Sequence, residues 1–405
     1  MLKNAAIRNL WLGRLVSVSG DSLYEVAVIW YVFELTRNPF YTGLAAAIVM
    51  IPKTLNFLFG PIIEELNKKR VLVFAQYFQF LLMLAIPAGM LVGVESVWLV
   101  LTILFLISFL ENFQGTAEIA VVPEIVPAEQ RGAFNSLAAS SQLLVDIAMK
   151  AAFAGSILFI GIGGIYLYNA LTYLAAAFFF GFLKTDRPQR QRPAPQKMDW
   201  PSYRESLKQG FSYFFTGGLL VICLPFLVAN FSFGLTSAVL PVYAAERGGG
   251  AVYGYLILAL TIGNLIGTAV VPKLMRYPLG RLMIVLPGCS FLLWTFSVVA
   301  GNLWVSIFVF GLAFVPFGMM SVLFITFLQT AIDEDKLARV SSIIDSVLVS
   351  AMPLGALLGG IFAPLIGAGN MMLLGGAGLA VIALYFTANK KIRSMPKIGA
   401  VHLNE

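Results

Sequence analysis

Twelve apolar runs of bilayer length follow one another along the chain, near residues 8–34, 40–63, 70–93, 97–122, 132–160, 164–183, 211–243, 251–273, 280–300, 302–329, 338–366 and 370–389. About 20 consecutive apolar residues cross the hydrocarbon core of a bilayer as one helix. Lipid offers no partner to a backbone N–H or C=O, so a spanning segment must satisfy its own hydrogen bonds. The pattern predicts an all-α polytopic membrane protein with 12 transmembrane helices. Of the 405 residues, 59% are hydrophobic and 12% are charged. A soluble chain carries about a quarter charged residues, so a soluble domain is excluded. The first apolar run is too long for a cleavable signal, and no small-residue cleavage site follows it.

The charges are sorted by side. With the N-terminus placed in the cytoplasm, the outer loops hold only Arg37 and Arg247, and Arg14, Lys53 and Lys150 fall inside the membrane. Every other lysine and arginine lies on the inner side. This is the positive-inside pattern. It predicts a multi-pass protein of the plasma (inner) membrane with both termini cytoplasmic. The net charge of +7 is therefore topological, and nucleic acid is excluded as a partner.

Residue types narrow the chemistry further. Cys223 and Cys289 lie in apolar runs and read as inert core residues. His402 in the tail is the one histidine, which removes histidine proton relays and most transition-metal sites. No GxxxxGK[ST] phosphate loop is present, so the chain encodes no ATP motor. There is no HExxH and no nucleophile–base pair. The expectation is a non-enzyme with no cofactor and no metal, binding a small-molecule substrate, protons and membrane lipids, as a monomer.

The longest polar stretch, KTDRPQRQRPAPQKMDWPSYRESLKQG at residues 184–210, reads as a proline-rich cytoplasmic linker. It separates an N-terminal six-helix bundle, 1–183, from a C-terminal one, 211–405. The halves look alike. VPAEQRGAFNSLAASSQLL from Val126 and IDEDKLARVSSIIDSVLVS from Ile332 are offset by 206 residues, and Gly60 and Gly267 by 207. A constant offset of half the chain predicts two parallel six-helix pseudo-repeats around a central cavity.

Several motifs resemble the major facilitator superfamily. GPIIEELNKKR, Gly60 to Arg70, resembles the family's G-x-x-x-D-R-x-G-R-K loop after helix two, with Gly60, Lys68 and Lys69 in matching places. AMPLGALLGG, Ala351 to Gly360, is similar to the glycine–proline motif that antiporter members carry in helix five. LWLGRLVSVSGDSL, YVFELTRNPFYTGL and VVPEIVPAEQRGAFNSL resemble the drug-efflux branch that includes macrolide and siderophore exporters. The resemblance implies alternating access, a cavity lined by helices one and four, and a cytoplasmic latch built from Gly60, Glu64, Lys68, Lys69 and Asp345. The chain also departs from the pattern. Glu64-Glu65 replaces Asp-Arg, Asn67 replaces the second glycine, Ile107 stands at the place of the helix-four arginine, and Lys150 interrupts the small residues of helix five. The family's proton circuit is therefore not transferable residue by residue.

Intramembrane charges are costly and mark function or mutual pairing. Asp21 and Glu25 are one turn apart on one helix face. Glu111 and Glu118, seven apart, project about 20° from one another. Asp146 and Lys150 stand in the favoured acid-before-base order. Two readings remain open. In one, Asp21, Glu25 and Glu111 form an acidic cluster in a water-accessible cavity, with Tyr24 and Phe113 (and Trp30, Tyr31, Phe231 or Phe317) stacking on a bulky amphiphile. Proton and cationic substrate then exclude each other, which is antiport. In the other, the charges pair structurally: Asp146 with Lys150, Lys53 with an acid of helix one or four, and Arg14 with Glu118, or Arg14 reaches the inner surface instead. The expected function is a proton-coupled antiporter exporting amphiphilic or cationic small molecules. Siderophore or lipid export, and more remotely proton-coupled metal export, are the alternatives.

Overall fold

The structure, a computed structural model, describes residues 2–55, 63, 66–183, 205, 208, 212, 214–215, 219–332 and 334–397. Among them twelve long helices match the twelve apolar runs in order. These are α1 (Ala5–Thr36), α2 (Pro39–Thr54), α3 (Lys68–Leu91), α4 (Val97–Ile125), α5 (Ala128–Phe159), α6 (Gly161–Gly181), α7 (Leu219–Ala245), α8 (Gly250–Leu274), α9 (Leu279–Val299), α10 (Leu303–Ala331), α11 (Glu334–Ile366) and α12 (Ala368–Ala388). A short α13 (Lys390–Arg393) follows. Ten of the twelve are long and apolar enough to cross a membrane. The described part of α2 has only 16 residues, and α5 carries Asn135, Ser136, Ser140, Gln142, Asp146 and Lys150 along its length.

The polar breaks between apolar runs also start helices. Asn4 Oδ1 accepts from the Ala6 N–H at 2.9 Å, Asn67 Oδ1 from the Arg70 N–H at 3.1 Å, and Asn302 Oδ1 from the Trp304 N–H at 2.9 Å. Each satisfies a donor that the first helical turn leaves open. At the C-terminal end of α1, Arg37 takes φ 51° and its N–H closes on the Phe33 carbonyl at 2.7 Å.

The helices gather in two compact units, Met1–Arg37 with Leu55–Trp200, and Asn38–Thr54 with Pro201–Glu405. A division at residue 183 places α2 with α1, but its packing partners are α7 and α11. Thr42 Oγ1 donates to the Ala238 carbonyl at 2.7 Å. Gly43 faces the Ala356 carbonyl, where no side chain fits. Most of the expected linker lies outside the described residues.

In the first unit α6 packs against α1 and α3, α5 against α1, and α4 against α3. One end is an apolar cluster of Ile7, Leu10, Leu72, Val121, Phe134 and Phe180. The second unit is held by aromatic packing and by close helix approach. Trp294 lies 5.0 Å from Phe310 and 5.5 Å from Phe314 and donates its indole N–H to the Met372 carbonyl at 2.7 Å. Phe317 belongs to this cluster through Phe314 and Phe233. Gly263 on α8 faces the Gly311 carbonyl of α10, the small-residue contact that lets membrane helices approach closely. Leu81, Phe178, Leu292, Phe308 and Leu384 are exposed apolar side chains on the bundle exteriors, as a lipid-facing surface requires.

Candidate functional site

Four helices of the first unit each bring polar residues inward at heptad spacing, so each set falls on one face. On α1 these are Arg14, Ser17 and Asp21, with Glu25 one turn on. On α4 they are Glu111, Gln114 and Glu118, and on α6 Tyr166, Asn169 and Tyr173. The buried stripe of α3 is Leu72, Ala75, Gln76, Gln79, Met83 and Ile86.

These faces join in one hydrogen-bonded line. Ser17 Oγ donates to Asp21 Oδ2 at 3.1 Å and accepts from Gln76 Nε2 at 3.0 Å. Gln76 Nε2 also donates to Gln114 Oε1 at 2.8 Å, and Gln114 Nε2 donates to Glu118 Oε1 at 2.9 Å. Glu118 Oε2 pairs with Arg14 Nε at 3.0 Å, and Arg14 Nη2 donates to the Glu118 backbone carbonyl at 2.6 Å. The Arg14 guanidinium also lies 5.6 Å from the centre of the Phe134 ring. Asp21 thus connects through Ser17 and two carboxamides to a buried ion pair whose arginine lies about two turns back along α1.

The other charges take separate partners. Glu111 Oε1 accepts from the Tyr173 hydroxyl at 3.4 Å. Lys150 Nζ lies 3.0 Å from Asp146 and 3.5 Å from Glu25. Asp21 and Glu111 both lie against the Tyr173 hydroxyl, whereas Glu25 turns to α5 and its side chain is 57% exposed. Arg14 does not reach the surface, because Glu118 and Phe134 hold it inside. Tyr24 is buried with its ring edge-on to Tyr166 at 5.7 Å. Phe113 faces away from Asp21, into an apolar groove between α3 and α4 lined also by Val71, Phe74 and Leu110. Lys53 is exposed at the last turn of α2 and forms no ion pair among the described residues. The neighbouring Pro52 takes the buried face of that turn, which leaves Lys53 pointing away.

Of the expected latch, Gly60 and Glu64 lie outside the described residues. Lys68 pairs with Glu124 of α4 at 3.4 Å. Lys69 is half-buried at the start of α3, and Asp345 is exposed on α11 in the second unit.

The reading of charges alone missed Ser17, Gln76, Gln114 and Tyr173. The signal that finds them is heptad spacing from a charge: Ser17 lies between Arg14 and Asp21, and Gln114 between Glu111 and Glu118. Gln76 is marked by being a polar residue on an otherwise apolar stripe.

The profile of the Major Facilitator Superfamily matches residues 10–356. The chain belongs to the major facilitator superfamily. Among curated relatives of this superfamily member, an uncharacterized MFS-type transporter, YvqJ of Bacillus subtilis, is 24% identical over 388 residues, covering 92% of this chain and 90% of that protein. Macrolide efflux protein A of Streptococcus pyogenes is 24% identical over 404 residues, covering 95% and 96%. Two solved structures share the fold. The nucleoside transporter NupG superposes with a TM-score of 0.75 at 12% identity, covering 95% of this chain and 98% of NupG. A bacterial homologue of the iron transporter ferroportin, solved in an inward-facing state, gives 0.72 at 17% identity, covering 96% and 98%. The protein is thus a multi-pass membrane transporter of the major facilitator fold, with an efflux-type relative.

Proposed function

We propose that the protein is a proton-coupled antiporter of the plasma membrane, both termini cytoplasmic, exporting amphiphilic or cationic small molecules by alternating access. One observation carries the reading. The interior of the first unit holds Asp21, Glu25, Glu111, Glu118 and Asp146 but only Arg14 and Lys150 as bases, and both bases are engaged by other acids. Asp21 has no lysine or arginine at ion-pair distance among the described residues; its neighbours are the neutral hydroxyls of Ser17 and Tyr173. An isolated carboxylate in a low-dielectric interior is too costly to stay charged. It takes a proton, or it takes a cation brought to it. A site that accepts one or the other, never both, exchanges them.

The likeness to a macrolide efflux protein supports an amphiphilic substrate and the outward direction. The sorting of lysine and arginine to one side supports the orientation. The test uses purified protein in proteoliposomes with an interior pH dye and an imposed proton gradient. A macrolide or a cationic dye is expected to drive proton movement, lost in Asp21→Asn and retained in Asp146→Asn. Substrate movement with no proton signal, unchanged in Asp21→Asn, overturns the coupling.

A further inference from the structure

The second unit folds its C-terminal segment back over the start of α9. Past α12 the chain turns through α13, which packs against both α12 and α9. The Pro396 carbonyl then accepts from the Leu279 N–H at 3.0 Å, and the Met395 carbonyl from the Gly280 N–H at 3.4 Å. A helix start leaves its first amides open, and here the returning strap closes two of them. Ile392 is buried within the strap, and a Cβ on Gly280 would fall on the Ile392 and Arg393 carbonyls. The bare face of Gly280 is what lets the strap lie this close.

This contact gathers charge. The α8–α9 connection and the start of α9 bring Lys273, Arg276 and Arg281, and the strap brings Lys390, Arg393 and Lys397. Arg281 follows Gly280 and Lys397 follows Pro396, so the backbone hydrogen bonds of the strap hold the two sets in one patch. All six residues are exposed. None is in an ion pair among the described residues. The sequence has no Asp or Glu between Glu246 and Asp333, or between Asp345 and Glu405. The sorting of charge by side assigns lysine and arginine to this end of the helices, but it does not require them to stand without acids. Lys68, which the same sorting assigns to the inner side, pairs with Glu124 at 3.4 Å.

Next to the patch the surface is apolar. Arg281, Val285, Cys289, Leu292 and Phe296 follow at helical spacing on one face of α9, and all five are exposed. One face therefore carries a cation at the helix start and apolar side chains from the next turn onward. Met275 and Tyr277 add exposed apolar surface beside Arg276, which lies 5.1 Å from the centre of the Tyr277 ring and donates to its hydroxyl at 3.1 Å. A soluble anion would use the cations alone. A phospholipid uses both surfaces, its phosphate on the charges and its chains along α9. Lysine and arginine clustered beside a spanning helix attract anionic headgroups, and the arginine fork matches phosphate oxygens. We infer that the α8–α9 connection and the C-terminal strap together bind the phosphodiester headgroup of an anionic phospholipid. The site belongs to the second unit and stands whether or not Asp21 exchanges protons.

The test measures lipid binding without transport. Purified full-length protein in detergent is titrated with phosphatidylglycerol or with phosphatidylcholine, and bound lipid is counted by native mass spectrometry. Phosphatidylglycerol is expected to bind saturably. Phosphatidylcholine, whose headgroup has no net charge, is expected to bind at least about fivefold more weakly, the factor that one basic residue contributes near a charged surface. The triple variant Arg276→Gln/Arg281→Gln/Arg393→Gln is expected to lose the preference. So is Gly280→Val, which keeps every charge but lifts the strap. The control Lys3→Gln/Arg8→Gln/Arg70→Gln removes as many charges elsewhere and is expected to keep it. Millimolar glycerol phosphate, a headgroup without chains, is expected not to displace the lipid. Equal binding of both lipids by the wild type overturns the site. So does a preference that survives in the triple variant or in Gly280→Val, or one that the control loses equally. Displacement by glycerol phosphate makes the occupant a soluble anion and overturns the lipid. Should a variant fail to fold, the wild-type comparison of the two lipids, with and without glycerol phosphate, decides alone.

Discussion

Arg14 and Glu118 meet twice, side chain to side chain at 3.0 Å and through a second guanidinium nitrogen to the glutamate's own backbone carbonyl at 2.6 Å. This two-point contact fixes α1 against α4 at one height, and the Gln114–Gln76–Ser17 line carries that registration up to Asp21. The ion pair anchors one end of the line, and Asp21 lies at the other.

Removing one partner of such a pair leaves a charge stranded in a place with little water. Arg14→Met is expected to destabilise the protein by about 3–5 kcal/mol. The double variant Arg14→Met/Glu118→Gln is expected to recover much of that loss, since neither charge remains. Melting of the four members of this cycle in detergent checks it. A double variant as unstable as Arg14→Met rejects the pairing as the cause.

Gln114 has one atom in each of two bonds, accepting from Gln76 and donating to Glu118. Gln114→Leu removes both and strips one partner from a carboxylate, for an expected cost of about 1–3 kcal/mol. Gln142→Leu on α5, which enters no such line, is expected to change little. A small effect at Gln114 together with an equal one at Gln142 counts against the continuous network.

The twelve helices were legible because lipid demands a fixed apolar length, and α1 to α12 fall on the runs in order. The Asp146–Lys150 and Arg14–Glu118 contacts follow from charge type and helical depth. Which acids share a chamber did not follow, because that depends on helix rotation. The rotation of α1 sends Glu25 to Lys150 and keeps Asp21 inside. The rotation of α4 turns Phe113 toward α3. The packing of α2 on α7 and α11 was equally hidden, since it rests on the bare faces of Gly43 and Gly360, and bare faces carry no charge or hydropathy signal.

Lys150 stands between two acids of unequal exposure, 25% for Asp146 and 57% for Glu25. Water screens the more exposed pair, so Glu25→Gln is expected to change stability by less than about 1 kcal/mol. Lys150→Met leaves Asp146 without its in-helix partner and is expected to be the more harmful change. Thermal melting ranks the two, and a reversed order means that Glu25, not Asp146, is the principal partner.

Glycine at a helix crossing offers a test whose sign depends on position. A Cβ at Gly263 would fall on the Gly311 carbonyl, and backbone cannot swing aside as a side chain does. Gly263→Ala must therefore push α8 away from α10 and is expected to cost about 1–3 kcal/mol, the range of an overpacked core. At Gly288, on α9, the nearest atom to an added Cβ is the Ala383 methyl at 3.9 Å, which is ordinary contact. There the same substitution removes a flexible residue from a helix interior, and alanine is favoured over glycine by about 1 kcal/mol in helices. Gly288→Ala is expected to raise the melting temperature or leave it unchanged, while Gly263→Ala lowers it. If both variants raise the melting temperature, helix propensity governs and the close approach of α8 to α10 does not contribute to stability.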